Sequence, residues 1–457
     1  VEHELPQFQG VLGPLDLGHM LGHGEMLVVM IDAAILPGVS DRPAPIRIED
    51  LVDPVLAPEI AEMMEQMAPM ADQIELSPEA ILGTAIAQTG LSDFGPDEFR
   101  APLEVLCHSL DTEADHSPMG RVSSFSQLTT FAANRLRIEQ YIKDHPDALD
   151  VPIDRPIVIA GLPRTGTTHL HNLISADPAL RSLPWWEAME PVPPPEESGT
   201  TEGRIERAKN GLVIHNAAMP HYDRMHEMTW DHVHEEIHLL GIDFSTMLFD
   251  CLAVLPTWRS YYKEHDQTPH YQYLKRILKV LTHQRPPRER WVLKSPQHLE
   301  QIGPLMNVFG DATVVFTHRD PVSITASFAT MICYSARMSA THPVDVHGIG
   351  QWWAQLIADM LQSCTDDREL VPPEQSLDVL FHEFMADDVA MVERIYKLAD
   401  QPFTPDVRAA MDAYMDDHPR GKHGRVIYDL ADFGMTAEEC RRALSFYTDR
   451  FAVELEH

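Results

Sequence analysis

Cysteine is scarce in this sequence and shows no paired pattern. Five occur in 457 residues, Cys107, Cys251, Cys333, Cys364 and Cys440, widely scattered and without a CxxC pair. An odd, dispersed set excludes a disulfide framework and fits the reduced thiols of a cytoplasmic protein. No apolar run approaches the roughly 20 residues that span a bilayer, so no membrane span is expected. The N-terminus, VEHELPQF, has no basic segment followed by an apolar stretch and reads as unexported. Basic charge is also short: 35 Lys and Arg stand against 70 Asp and Glu, a net charge of −35. Such a surface repels nucleic acid and anionic membranes, and an anionic ligand binds only where a few basic residues converge. The final residues, LEH, look like the start of a vector-encoded tag and carry no functional weight.

An ordinary apolar fraction of 44% is present, enough for a large core at this length. Up to about residue 150 the apolar spacing is helical. The segments 55-VLAPEIAEMMEQMAPMADQ-73 and 124-SFSQLTTFAANRLRIEQYIKDHP-146 predict helices, and 1–150 reads as a helical N-terminal region. Beyond Pro152 short β-branched runs alternate with helical patterns: 157-IVIA-160, 290-RWVLK-294, 313-TVVFT-317 and 377-LDVLF-381. This alternation predicts an α/β fold with a P-loop-type parallel sheet flanked by helices over 151–453. An insertion at about 185–285, opened by 191-PVPPPEESGTTEG-203, separates the first two strands. Ligands of such sheets gather at the carboxyl ends of the strands, so chemistry is sought just after each run.

The first run leads into 161-GLPRTGTTHL-170. Two glycines with four residues between them let successive N–H groups curl around an anion at a helix N-terminus. Thr167 stands where the nucleoside-triphosphate loop GxxxxGK[ST] has its lysine, and Arg164 supplies the charge. A 5′-phosphate bearing a small anionic group suits this loop without demanding a metal. After the third run, Asp320 and Pro321 read as N-cap and first turn, which puts Arg319 at a strand end, with Ser323 and Ser327 on one helix face. In 290-RWVLKSPQHLEQI-302, Lys294 ends a strand and His298 falls in the first turn of a helix begun by Pro296. These two could neutralise a leaving group and accept a proton. The loop 418-HPRGKHGRVIYDL-430 is basic in an acidic chain.

These four segments, in this order over about residues 150–430, resemble the sulfotransferase family that uses 3′-phosphoadenosine 5′-phosphosulfate, in its bacterial branch with the loop GLPRTGTT and the later strand VLKSP. The resemblance implies that Arg164, Thr165, Gly166, Thr167 and Thr168 bind the 5′-phosphosulfate. It implies that Arg319 and Ser327, with Arg420 and Gly421, grip the 3′-phosphate, and that Lys294 and His298, with Arg164, assist sulfuryl transfer. His169 takes the place of the tryptophan that stacks on adenine in better-known members. Lys294 and His298 are spaced more widely than the family's pair, and because other branches use a glutamate, Glu235 and Glu236 are alternative bases. No metal is implied. The expected partner is a small hydroxyl acceptor, and the aromatic and methionine residues of the insertion (Trp185, Trp186, Trp230, Met225, Met228) point to an apolar one. A homo-oligomer is compatible with the sequence.

Two other enzyme classes compete. A P-loop kinase or NTPase would share the glycine loop. In 231-DHVHEEIHLL-240, His234, Glu235 and His238 spell the HExxH of zinc peptidases, which needs both histidines on one helix face.

Overall fold

The computed structural model describes residues 43–285 and 290–456. The N-terminal octapeptide and His457 lie outside them. The four apolar runs form strands because their β-branched side chains pack on both faces of a buried sheet. They are β1 (Ile157–Gly161), β3 (Arg290–Ser295), β4 (Thr313–His318) and β5 (Ser376–Leu380), joined at one edge by the two-residue β2 (Leu180–Arg181). All neighbours pair parallel, in the order β2-β3-β1-β4-β5. The fold is therefore the α/β class with a parallel sheet flanked by helices. β2 had no signal in the sequence, since two residues carry no period.

Alternate side chains go to opposite faces. Val158 and Ala160 join Leu293, Val314 and Phe316 in one core; Ile157 and Ile159 join Val292 and Val315 in the other. The first core is the larger and continues without a break into Leu103, Leu128 and Leu136 of the N-terminal helices. Those helices span Pro58–Ala71, Pro78–Thr89, Arg100–Thr112 and Pro118–Asp144. The last begins before the predicted residue 124 because the Ser117 side chain caps it, accepting from Gly120 N, with proline in the first turn. No described helix is long and apolar enough to cross a membrane.

The insertion between β1 and β3 carries short helices at Trp185–Met189 and Ile237–Gly241 and longer ones at Glu202–Ala218, Pro256–Glu264 and Thr268–Gln284. Register positions the chemistry. Ala160 lies opposite Ser295 and Gly161 opposite Thr317. The loop after β1, Lys294 on β3 and Arg319 after β4 thus reach one end of the sheet.

Candidate active site

The loop is shaped by contacts beneath it. A Cβ on Gly161 would overlap Thr317 Oγ1, so only glycine lets β1 lie this close to β4. Thr165 Oγ1 donates to Leu162 O at 2.7 Å and meets Thr317 Oγ1 at 2.6 Å, which ties the loop to the sheet. Its side chain is consequently buried below the loop and does not enter the cavity above. Gly166 has φ 88°, whereas Arg164 reaches φ 73° with a side chain attached. A left-handed non-glycine residue costs about 1–2 kcal/mol. Arg164 is held there by Nη1, which donates to Met225 O at 2.5 Å, and by its carbonyl, which accepts from Arg319 Nη1 at 2.6 Å. No side chain caps the helix Thr167–Ser175, so its first-turn N–H groups are left for an anion.

Above the loop opens a cavity of about 890 Å³. Arg164, Gly166, Thr167, Thr168, His169, Arg319, Arg420 and Gly421 all line it. Ser327 is 3% exposed and lies behind the wall, its hydroxyl without a partner among the described residues. Of these eight residues, Arg319, His169 and Arg420 are engaged by carboxylates. Arg319 forks onto Glu456, whose oxygens lie 2.5 and 2.8 Å from Nε and Nη2, and Ser323 donates to the same carboxylate at 3.2 Å. Hydrogen bonding to Arg319 holds Glu456 below the usual carboxylate range. Glu456 lies in the LEH segment and outside the cavity lining. Asp388 Oδ2 takes both His169 Nε2 at 2.9 Å and Arg420 Nη2 at 2.8 Å. Phe381, just after β5, lies under the Arg319 guanidinium at 4.1 Å and lines the same wall.

Lys294 is 3% exposed, and its Nζ bonds Glu235 Oε1. Glu235 lines the cavity; Glu236 is buried behind it. Glu236 accepts from Lys294 N at 2.8 Å and bonds His298 Nε2. Burial works to raise Glu236, but His298 and the backbone N–H groups outweigh it, and the carboxyl titrates below its usual range. His298, expected as the base, is enclosed. Its ring is 0% exposed, with Nδ1 on Tyr271 OH at 2.8 Å and Nε2 on Glu236, and it does not line the cavity. Of the adjacent pair Glu235 and Glu236, it is Glu235 that lines the cavity.

The HExxH reading also changes. The helix starts at Ile237, after His234 and Glu235, and His234 Nε2 is bonded to His238 Nδ1 at 2.8 Å. The two nitrogens share a hydrogen, and the glutamate belongs to Lys294. Of the insertion's expected apolar residues, Trp185, Met225 and Met228 line the cavity. Trp186 and Trp230 do not, and lie under Arg204 and Lys209 at 4.7 and 4.8 Å. Ile237, Met247, Leu248, Phe328, Met331 and Ile332 complete an apolar wall. The sequence offered no signal for Asp388, Phe381 or Glu456, which reach the site from distant segments.

Residues 156–405 match the family described as the Sulfotransferase family. No curated protein matches the chain. Among solved structures, sulfotransferase STF9 from Mycobacterium avium is 28% identical, with 84% of this chain and 99% of that one covered and a TM-score of 0.74. Sulfotransferase STF1 from Mycobacterium tuberculosis H37Rv is 29% identical over 81% of this chain and 98% of that one, with a TM-score of 0.71.

Proposed function

Because the chain belongs to the sulfotransferase family, we propose that it moves a sulfuryl group from 3′-phosphoadenosine 5′-phosphosulfate to the hydroxyl of a small, apolar acceptor. One observation carries this reading: the glycine loop, Arg164, Arg319 and Glu235, the last bonded to Lys294 behind it, converge on one cavity, part of whose wall is apolar. The donor's two anionic ends fit groups left without partners. Arg164 Nε and Ser327 Oγ are buried and unpartnered among the described residues, and the helix Thr167–Ser175 has no side-chain cap. Such orphaned donors are satisfied by an anion.

When bound, the donor supplies the sulfuryl group and leaves as the nucleotide 3′,5′-bisphosphate. In this reading the loop N–H groups with Thr167 and Thr168 hold the 5′-phosphosulfate, and Thr165 holds the loop. Arg319, Ser327, Arg420 and Gly421 hold the 3′-phosphate, which takes the place of the Glu456 and Asp388 carboxylates on the arginines. His169 and Phe381 face the nucleoside. Glu235 takes the proton of the acceptor hydroxyl as its oxygen forms a bond to sulfur. Protonation of Glu235 frees the Lys294 ammonium from its counter-charge just as negative charge grows on the departing bridging oxygen, to which Lys294 then donates. His298 orients Glu236, and Glu236 fixes the backbone of Lys294.

The test is binding and transfer. Adenosine 3′,5′-bisphosphate should bind in the presence of a chelator and in preference to ATP, and mass spectrometry should detect sulfated product from a panel of alcohols and phenols. Magnesium-dependent phosphoryl transfer from ATP would overturn the reading in favour of a kinase.

A further inference from the structure

Three histidines of the insertion form a chain that begins at a backbone carbonyl and ends in the cavity. His232 Nδ1 lies 2.5 Å from Thr229 O, His232 Nε2 lies 3.0 Å from His234 Nδ1, and His234 Nε2 lies 2.8 Å from His238 Nδ1. A carbonyl oxygen only accepts, so His232 Nδ1 carries a hydrogen. Thr229 N, 3.2 Å from the same nitrogen, is the weaker contact. All three rings are neutral at pH 7. Burial pushes His232 and His238 down to about 4, and burial with neighbouring histidines holds His234 well below its usual value.

A neutral imidazole has one N–H, so each tautomer dictates the next. His232 Nε2 accepts from His234 Nδ1, and His234 Nε2 accepts from His238 Nδ1. His238 Nε2 is left as a bare lone pair. His238 lines the cavity with Glu235 and Trp185, and its Nε2 has no partner among the described residues and is not one of the enclosed polar atoms. Phe131 and Trp185 meet the ring edge-on, with centroids at 6.3 and 5.1 Å, and hold its orientation.

We propose that His238 Nε2 is a fixed hydrogen-bond acceptor for a second donor group on the sulfuryl acceptor, so that preferred acceptors are neutral, apolar molecules bearing a further hydroxyl or N–H besides the hydroxyl that is sulfated. This rests on the transfer reading above. A carbonyl or carboxylate placed at this point would face a lone pair that cannot turn away, which selects against it.

Diols of one apolar skeleton, differing in spacing, are compared with the mono-alcohol by kcat/KM and by calorimetric binding in the presence of adenosine 3′,5′-bisphosphate. The best-spaced diol should gain about fivefold to tenfold in both. His238→Phe should bring that ratio to about one, and His238→Gln, whose amide oxygen is an acceptor, should keep part of it. A diol series with no member preferred over the mono-alcohol, or a preference that survives His238→Phe, overturns the proposal. Nitrogen-15 NMR of the unsubstituted protein reads the relay directly, whatever the fate of the variants: His238 should show a hydrogen on Nδ1 and none on Nε2, and the reverse overturns it. Preferential diol binding without any transfer would sink the reaction and support the subsite.

Discussion

Replacing Glu235 with Gln separates the roles of two glutamates and one histidine that lie within a few residues of one another in space. The Glu235 side chain is 18% exposed and bonded to Lys294, which is 4% exposed, whereas the His298 side chain is 0% exposed. Glutamine keeps an oxygen for the Lys294 ammonium and has nearly the same volume, but it cannot take a proton. Loss of a general base costs about 10²–10⁴ in rate, or roughly 3–5.5 kcal/mol on the barrier. Stability should fall by only about 1–2 kcal/mol, because a charge-assisted bond becomes a neutral one at a partly solvated position. The assay is single-turnover sulfuryl transfer with bisphosphate binding and thermal unfolding measured on the same preparation. His298→Gln is the companion. It should cost about 1–3 kcal/mol of stability, since Glu236 and Tyr271 lose a buried partner, with a smaller effect on rate. A Glu235→Gln enzyme within about threefold of the original rate, beside a folded His298→Gln enzyme slowed a hundredfold, would refute the assignment and return the base to His298.

Gly161→Ala should destabilise the fold by about 1–3 kcal/mol and weaken bisphosphate binding, because the added methyl meets Thr317 Oγ1 and displaces the Thr165 tie; denaturant unfolding and calorimetry read both, and native stability would refute it. Glu456→Gln should tighten bisphosphate binding by up to about fivefold, since the competing pair with Arg319 is worth about 0.2–1 kcal/mol at a carboxylate 37% exposed; unchanged affinity would show that Glu456 does not compete. Acid should destabilise the protein between about pH 6.5 and 4. Unfolded histidine takes up its proton near 6.5, while His238 stays neutral down to about 4. The unfolded chain therefore binds more protons in that window and stability is lost as pH falls through it, by about 3 kcal/mol for His238 alone. Urea unfolding at pH 7 and pH 4.5 checks this, with a pH-independent midpoint as the refuting result.

The fold was legible where physics is local. The runs around Val158, Leu293, Val315 and Val379 are strands because β-branched residues pack on two faces, and Asp320 caps the next helix by accepting from Val322 N at 2.9 Å. The helix at Ile237 was legible only in part: HExxH has the spacing of a helix face, but the chain is irregular through Glu236. His298 was legible in the same partial way. Its position after a strand end was read correctly, yet spacing says nothing of whether a ring points into a cavity or into Tyr271 and Glu236. Asp388, Phe381 and Glu456 had no local mark, as each matters only through arginines or a histidine more than thirty residues away.

By itself, the sequence determined the glycine loop and its missing lysine, the parallel sheet that brings strand ends together, and the family. These depend on residue types at fixed short spacings, which the backbone converts directly into geometry. Tertiary structure alone decided which carboxylate meets Lys294, which carboxylates hold Arg319 and Arg420, and which way the histidine relay runs. Those depend on side-chain direction and desolvation, and both are set only when remote segments close around one cavity.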